Sequence, residues 1–162
     1  NPYQIYDEKV TGAYQKAMRY AVGAPAPDFS VTNMNNEQVN LLDYQGKVVL
    51  LNFWASWCRP CMKKMNQLKP LQEELEQKNV VFLNVSLDRD QSSWTNSVTL
   101  NNFKGIHTIA EGSMEADICA AYEVKALPQY FIIDKRGNFA EKPLSKDVSA
   151  LKSTLEYLNR RK

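Results

Sequence analysis

Val48-Val49-Leu50-Leu51-Asn52-Phe53-Trp54-Ala55-Ser56-Trp57-Cys58-Arg59-Pro60-Cys61 opens with four consecutive apolar residues and closes on two cysteines. A run of that kind makes a strand buried on both faces. Residues beyond Cys61 recur with a helical period, so the pair stands where a buried strand turns into a helix. A CxxC in that position is a redox motif by placement as well as by spelling. The first turn of a helix has unpaired N–H groups and the positive end of the helix dipole. A thiolate on Cys58 is stabilised there, and its pKa is expected to fall. Arg59 adds a neighbouring cation. Pro60 suits an early helical position, where its missing N–H costs nothing. Cys61 is expected one turn deeper and less exposed. The pair therefore offers one attacking thiol and one resolving thiol within disulfide reach.

Two other readings of CxxC stand beside the redox one. Half of a zinc site would need further ligands, and Cys119 and His107 are the remaining supply, with no second paired motif. A purely structural staple between residues of one helical turn closes a very small loop and stabilises little.

The segment Phe53–Cys61 resembles the thioredoxin active site. Ala126-Leu127-Pro128-Gln129-Tyr130-Phe131-Ile132-Ile133-Asp134 resembles the cis-proline loop and following strand of that fold. Ala24-Pro25-Ala26-Pro27-Asp28-Phe29 and Val85-Ser86-Leu87-Asp88 are similar to the TlpA/ResA-like branch of thiol–disulfide oxidoreductases, an AhpC/TSA-type thioredoxin fold. The likeness spans about residues 24 to 160. It implies an α/β thioredoxin-like fold with a central mixed sheet flanked by helices. It implies disulfide exchange with protein thiol or disulfide substrates, supplied with electrons by an upstream thiol reductant, and no metal or organic cofactor beyond the Cys58–Cys61 disulfide. It implies a cis Pro128 beside the cysteine pair, with Leu127 before it shaping the substrate site, and Trp57 on the docking surface. It also implies a bacterial periplasmic or cell-envelope setting and, as the direction of flow, reduction. A peroxidase of the peroxiredoxin kind shares the Ala-Pro-Asp-Phe opening, but its Pro-x-x-x-Thr-x-x-Cys pattern is not met before Cys58. A thioredoxin-like binding module with idle cysteines is the other alternative.

Departures from the family pattern surround the resolving thiol. Asn52 stands where thioredoxin has a buried Asp, six residues before its first cysteine. Lys64 stands where the TlpA/ResA-like branch often has a Glu, three residues after its second. Asn66 replaces a common helix proline, and Pro70 follows four residues later. Asn52 and Lys64 are therefore candidate modulators of Cys61.

Composition sets the outer bounds. At 162 residues, 44% hydrophobic and 23% charged, the chain can bury the core of one soluble domain. A net charge of +2 provides no basis for nucleic-acid binding. No stretch approaches the roughly 18 apolar residues of a membrane span. Three cysteines are too few for a disulfide-rich scaffold. The chain begins at Asn1, so a removed leader or an upstream portion is expected, and a monomer is expected.

Residues 1–23 read as a helical extension to a domain over 24–162. Val10, Ala13, Tyr14, Ala17, Met18 and Ala21 have helical spacing, and the helix is expected to dock on the domain or on an upstream part. Asn35-Asn36 suits a hairpin turn. Further helices are expected over 90–101, 114–122 and the stripe of Val148, Leu151, Leu155 and Leu158, with strands over 80–86, 106–109, 130–134 and 139–140. Pro70 is expected to kink the helix that follows the cysteines. Cys119 reads as a buried apolar residue and His107 as a surface residue in an irregular stretch.

Overall fold

A computed structural model describes residues 2–144 and 147–162, with the side chains of 11–141 and 147–162. Seven strands form one mixed sheet in the order β2-β1-β5-β4-β3-β6-β7. They are β1 (Ser30–Asn33), β2 (Gln38–Asn40), β3 (Val48–Trp54), β4 (Val80–Ser86), β5 (Ile106–Ile109), β6 (Gln129–Ile133) and β7 (Phe139–Leu144). The α-helices are α1 (Pro2–Arg19), α2 (Arg59–Leu75), α3 (Gln91–Leu100), α4 (Asp117–Ala121) and α5 (Val148–Arg160).

Strands β3 and β4 are apolar nearly throughout, and every residue of both is buried. They pair in parallel at the sheet centre, joined by α2, while β6 runs antiparallel on the other side of β3. Alternation along β3 splits the core into layers. Val48 and Leu50 pack with Leu68, Leu71 and Leu75 of α2 and Leu151, Leu155 and Leu158 of α5. Val49, Leu51 and Phe53 face Phe29, Tyr122, Phe131 and Phe139 on the opposite side. A third cluster sits where β3 ends: Trp54, Ala55, Cys58, Cys61, Met65, Trp94, Val98 and Phe103. The cysteine pair is thus built into the core at the end of the central strand.

Helix α2 runs from Arg59 to Leu75 with Pro70 inside it. Two local expectations differ from what the fold shows. The helix expected over 114–122 is divided by Ala116, whose extended backbone (φ −61°, ψ 146°) separates a single 3-10 turn, Ser113–Glu115, from α4. Residues 11–19 of α1 are all exposed, with Tyr14 at 65% and Met18 at 50%. Their apolar face does not dock on the domain; Val10 lies outside the residues whose side chains are described. Lys16 pairs with Glu123 at 3.7 Å, and apolar attachment begins at Tyr20, whose hydroxyl donates to Ala121 O at 2.9 Å and whose ring meets Phe131 and Phe139. The backbone then joins the sheet as Gly23 N–H donates to Phe139 O at 2.7 Å.

His107 is the clearest correction. It lies on β5, 7% exposed, because β5 is enclosed between β1 and β4 rather than irregular. Its Nε2 meets Phe103 O at 3.2 Å. Burial holds its pKa below the ordinary 6.5, with the backbone contacts at Phe103 and Lys104 opposing. The folded state therefore prefers the neutral ring. Stability is fully present above the unfolded pKa and is lost as pH falls from about 6.5 through the lower folded value. His107 is the only histidine, so one imidazole, both of whose ring C–H resonances titrate below pH 6.5 by NMR, is the expected result. An unshifted titration would show that the ring is solvated.

Candidate active site

The site is assembled by the turn that leaves β3, Ala55 to Cys58, before α2 begins at Arg59. After Trp54 the chain makes a tight turn, closed as Cys58 N–H donates to Ala55 O at 3.1 Å. Cys58 then serves as the N-cap of α2, with extended backbone (φ −88°, ψ 98°). Its Sγ accepts from Cys61 N–H at 3.2 Å, as a capping oxygen would. Pro60 occupies the first turn. Cys58 and Cys61 form a disulfide with their Cα atoms 5.2 Å apart. In this oxidised form the cap acceptor is neutral. On reduction the same N–H and the helix dipole favour a thiolate at Cys58.

Exposure distinguishes the two sulfurs less than their neighbours. Cys61 is fully buried and Cys58 is 6% exposed, whereas Trp57 is 66% exposed. Cys58 therefore lies just under a lip made by Trp57, Arg59 and Pro60, all exposed, and is not itself the lip. Trp54 is fully buried, as its place on the strand requires.

The second half of the site comes from the segment before β6. The Leu127–Pro128 peptide bond is cis. Leu127 packs on the cluster that holds both cysteines, and Leu127 and Pro128 are half-buried. Residues seventy positions apart in the chain are brought together because β6 pairs directly with β3, Gln129 opposite Phe53.

The two candidate modulators have different settings. Lys64 is half-buried on α2, one turn beyond Cys61. Asn52 is buried on β3 and donates to Asn84 Oδ1 at 2.9 Å, while its own Oδ1 has no partner among the described residues. It belongs to a polar row across the sheet: His107, Asn84, Asn52 and Tyr130 stand opposite one another on four adjacent strands. The Tyr130 hydroxyl is also buried without a partner among the described residues, and burial pushes its pKa up. Asn84 supports the row by reaching the backbone carbonyls of Lys104 and Ile106.

Three further residues belong to the site although the sequence reading assigned them no part in it. Asp88, just past β4, is 3% exposed and accepts from Ser56, within the turn before Cys58. Trp94 of α3 is a member of the cluster that holds both cysteines, and Met62 packs against that cluster. For Asp88 the available signal was a carboxylate two residues beyond a strand that is apolar nearly throughout, where a charge needs partners.

Cys119 is buried, and its thiol donates to Ser113 O at 3.4 Å. Burial, with Glu115 nearby, pushes its pKa up to about 11, so it stays protonated near neutral pH. Among the described residues no group of three or more His, Cys, Asp or Glu side chains could hold a metal ion. None of their helices is long and apolar enough to cross a membrane.

Comparison with known proteins agrees with this geometry. The AhpC/TSA family matches residues 22–142. A thiol-disulfide oxidoreductase ResA of Bacillus cereus is 33% identical over 131 residues, 81% of this chain and 74% of its own length. The thioredoxin-like protein YneN of Bacillus subtilis is 33% identical over 139 residues, covering 85% and 75%. The crystal structure of the thioredoxin domain of a thiol-disulfide oxidoreductase from Bacteroides vulgatus superposes with a TM-score of 0.79 at 23% identity, over 86% of this chain and 99% of that one; at that identity it supports the fold alone. With a disulfide-bonded cysteine pair at the start of the helix after the central strand, and relatives of this kind over most of its length, the chain belongs to the AhpC/TSA family, as a thioredoxin-like thiol–disulfide oxidoreductase of the TlpA/ResA-like branch.

Proposed function

We propose that this protein is a protein-disulfide reductase of the bacterial cell envelope, working through Trp57-Cys58-Arg59-Pro60-Cys61. One observation carries the reading: the sulfur of Cys58 caps α2, beneath an exposed Trp57, with Cys61 bonded behind it and fully buried. Starting from the dithiol, the Cys58 thiolate attacks one sulfur of a partner disulfide. That S–S bond breaks, a partner thiolate leaves, and a mixed disulfide forms. Cys61, as thiolate, attacks Cys58 Sγ, releasing the second partner sulfur and closing Cys58–Cys61. Two electrons pass to the partner. A second thiol protein returns them, so no metal or organic cofactor takes part. The half-buried Leu127 and Pro128 receive an extended substrate segment beside the disulfide, and Trp57 packs against it. The reductase direction and the envelope setting rest on the likeness to ResA. The protein works as a monomer.

Equilibration of the Cys58–Cys61 pair with glutathione tests the direction. A reductase requires a potential below the roughly −220 mV region of the glutathione couple. A value near the roughly −120 mV of a strong oxidant would reverse the assignment. Reduction of insulin disulfides with dithiothreitol separates an enzyme from an idle binding module. Rapid peroxide-dependent turnover would instead establish a peroxidase.

Arg59 and Lys64 are assigned to the two thiols. Arg59 adjoins Cys58 at the positive end of α2, and Lys64 follows Cys61 by one turn. Arg59→Glu is expected to raise the pKa of Cys58, measured by ultraviolet thiolate titration in the Cys61→Ala background. Lys64→Glu is expected to slow resolution at neutral pH in stopped-flow mixing. Unchanged titration and rate profiles would remove both residues from the mechanism.

A further inference from the structure

Asp88 is a buried carboxylate that the exchange chemistry, as described, does not use. Its two oxygens are spent on one short stretch of chain. Ser56 N–H donates to Oδ2 at 3.0 Å and to Oδ1 at 3.2 Å, and Ser56 Oγ donates to Oδ1 at 2.6 Å. The other short bond comes from Ser86 Oγ, which donates to Oδ2 at 2.6 Å and accepts from Asp88 N–H at 3.0 Å. A carboxylate removed from water persists only with such donors, and bonds to a charged acceptor are among the stronger ones.

The acceptor itself is held rigidly. Leu87 N–H donates to Trp54 O at 2.8 Å, Ala110 N–H to Ser86 O at 2.9 Å, and Ser113 Oγ to Leu87 O at 2.6 Å. The exit of β4 is thus tied to β3, to β5's end and to the 3-10 turn at once. The donor is placed where rigidity matters for chemistry. Ser56 and Trp57 are the two central residues of the turn closed by Cys58 N–H and Ala55 O. Fixing Ser56 therefore fixes how the chain enters α2, and with it two side chains of opposite exposure. Trp57 is turned outward, and Cys58 is delivered to the cap position, where Cys61 N–H meets its sulfur.

We propose that Asp88 is a positioning residue of the disulfide-exchange site, clamping the Ala55–Cys58 turn through Ser56 so that Cys58 Sγ is held at the N-terminus of α2. The clamp acts on the reduced form more than on the oxidised one. In the disulfide, the covalent bond to Cys61 already fixes Cys58; after reduction only the turn keeps it capped. Loosening the turn weakens support for the dithiol and shifts the equilibrium toward the disulfide.

The test is the glutathione equilibrium constant of the Cys58–Cys61 pair in the full chain. A loss of global stability common to both redox states cancels from this constant, so a merely structural role leaves it unmoved. Asp88→Ala is expected to favour the disulfide about fivefold, the size of losing a helix cap. Asp88→Asn keeps an acceptor for Ser56 and removes the charge, and is expected to remain closer to the parent than Asp88→Ala. Ser56→Ala keeps the charge and removes one bond, and is expected to shift in the same direction by about twofold. It also decides the matter if Asp88→Ala does not fold. Equal shifts for Asn and Ala, a shift toward the dithiol, or unchanged constants for Asp88→Ala or Ser56→Ala would overturn the clamp. The inference rests on the exchange reading, but the two fail separately: an inert parent toward insulin ends that reading, whereas an active parent with such variant constants ends only the role of Asp88.

Discussion

Cys58→Ala abolishes exchange, and Cys61→Ala turns the protein into a trap: this asymmetry is the largest effect expected. Attack needs both access and charge. Cys58 has the capping N–H of Cys61, the helix start and the little surface the pair retains, while Cys61 has none. Loss of the nucleophile should lower insulin reduction on the order of 10³-fold or more. Without Cys61 the first mixed disulfide still forms, but the group that would break it is missing. Cys61→Ala expressed in its own cell is therefore expected to accumulate adducts that dithiothreitol releases, each identifiable by mass spectrometry as a partner. Cys119→Ala should match the parent, because that thiol is buried and its pKa lies near 11. Equal trapping by Cys58→Ala, or trapping that needs Cys119, would reverse the roles given to the three cysteines.

The second large effect is on stability and lies on the other face of the sheet. Tyr122 is 1% exposed, and its ring centroid lies 5.0 Å from Phe131, 5.8 Å from Phe53 and 5.9 Å from both Phe29 and Phe139. Its hydroxyl donates to Pro27 O at 2.6 Å, and burial pushes its pKa well up. One side chain thus joins the segment before β1, the sheet and the end of α4. Tyr122→Ala is expected to cost about 3–5 kcal/mol, as for other large aromatic truncations, a sizeable part of the roughly 5–15 kcal/mol that holds a domain together. Tyr122→Phe keeps the rings in contact and removes the bond to Pro27, for about 1 kcal/mol. Urea unfolding of the three proteins measures both. A loss below about 1 kcal/mol for Tyr122→Ala would mean that the ring cluster repacks freely. Since Pro128 follows Tyr122 by only six positions, the same substitution is expected to loosen the cis-proline loop and lower exchange activity.

The parts of this protein legible in its sequence are those whose causes are local. Short, nearly continuous apolar runs leading into turn signals pointed to central strands, so β3 and β4 were readable to within a residue. The Cys-Arg-Pro-Cys stretch at a strand-to-helix turn pointed to a cysteine at the start of a helix, where Cys58 is found as the N-cap. The inward faces of α2 and α5 follow from a period of 3.6. Tertiary structure decided what depends on neighbours remote in the chain. His107 has an unremarkable local sequence, and its burial exists only because β5 is enclosed between β1 and β4. The split at Ala116 and the exposed face of α1 likewise reflect packing, against the helical periodicity of both segments. Asp88 shows the division most plainly. Its distance from Ser56 in the chain is 32 residues, yet parallel pairing of β3 and β4 brings the ends of both strands to the same edge. The cysteines and their chemistry were written in one short stretch, whereas the carboxylate that clamps their turn became visible only when two strands were laid side by side.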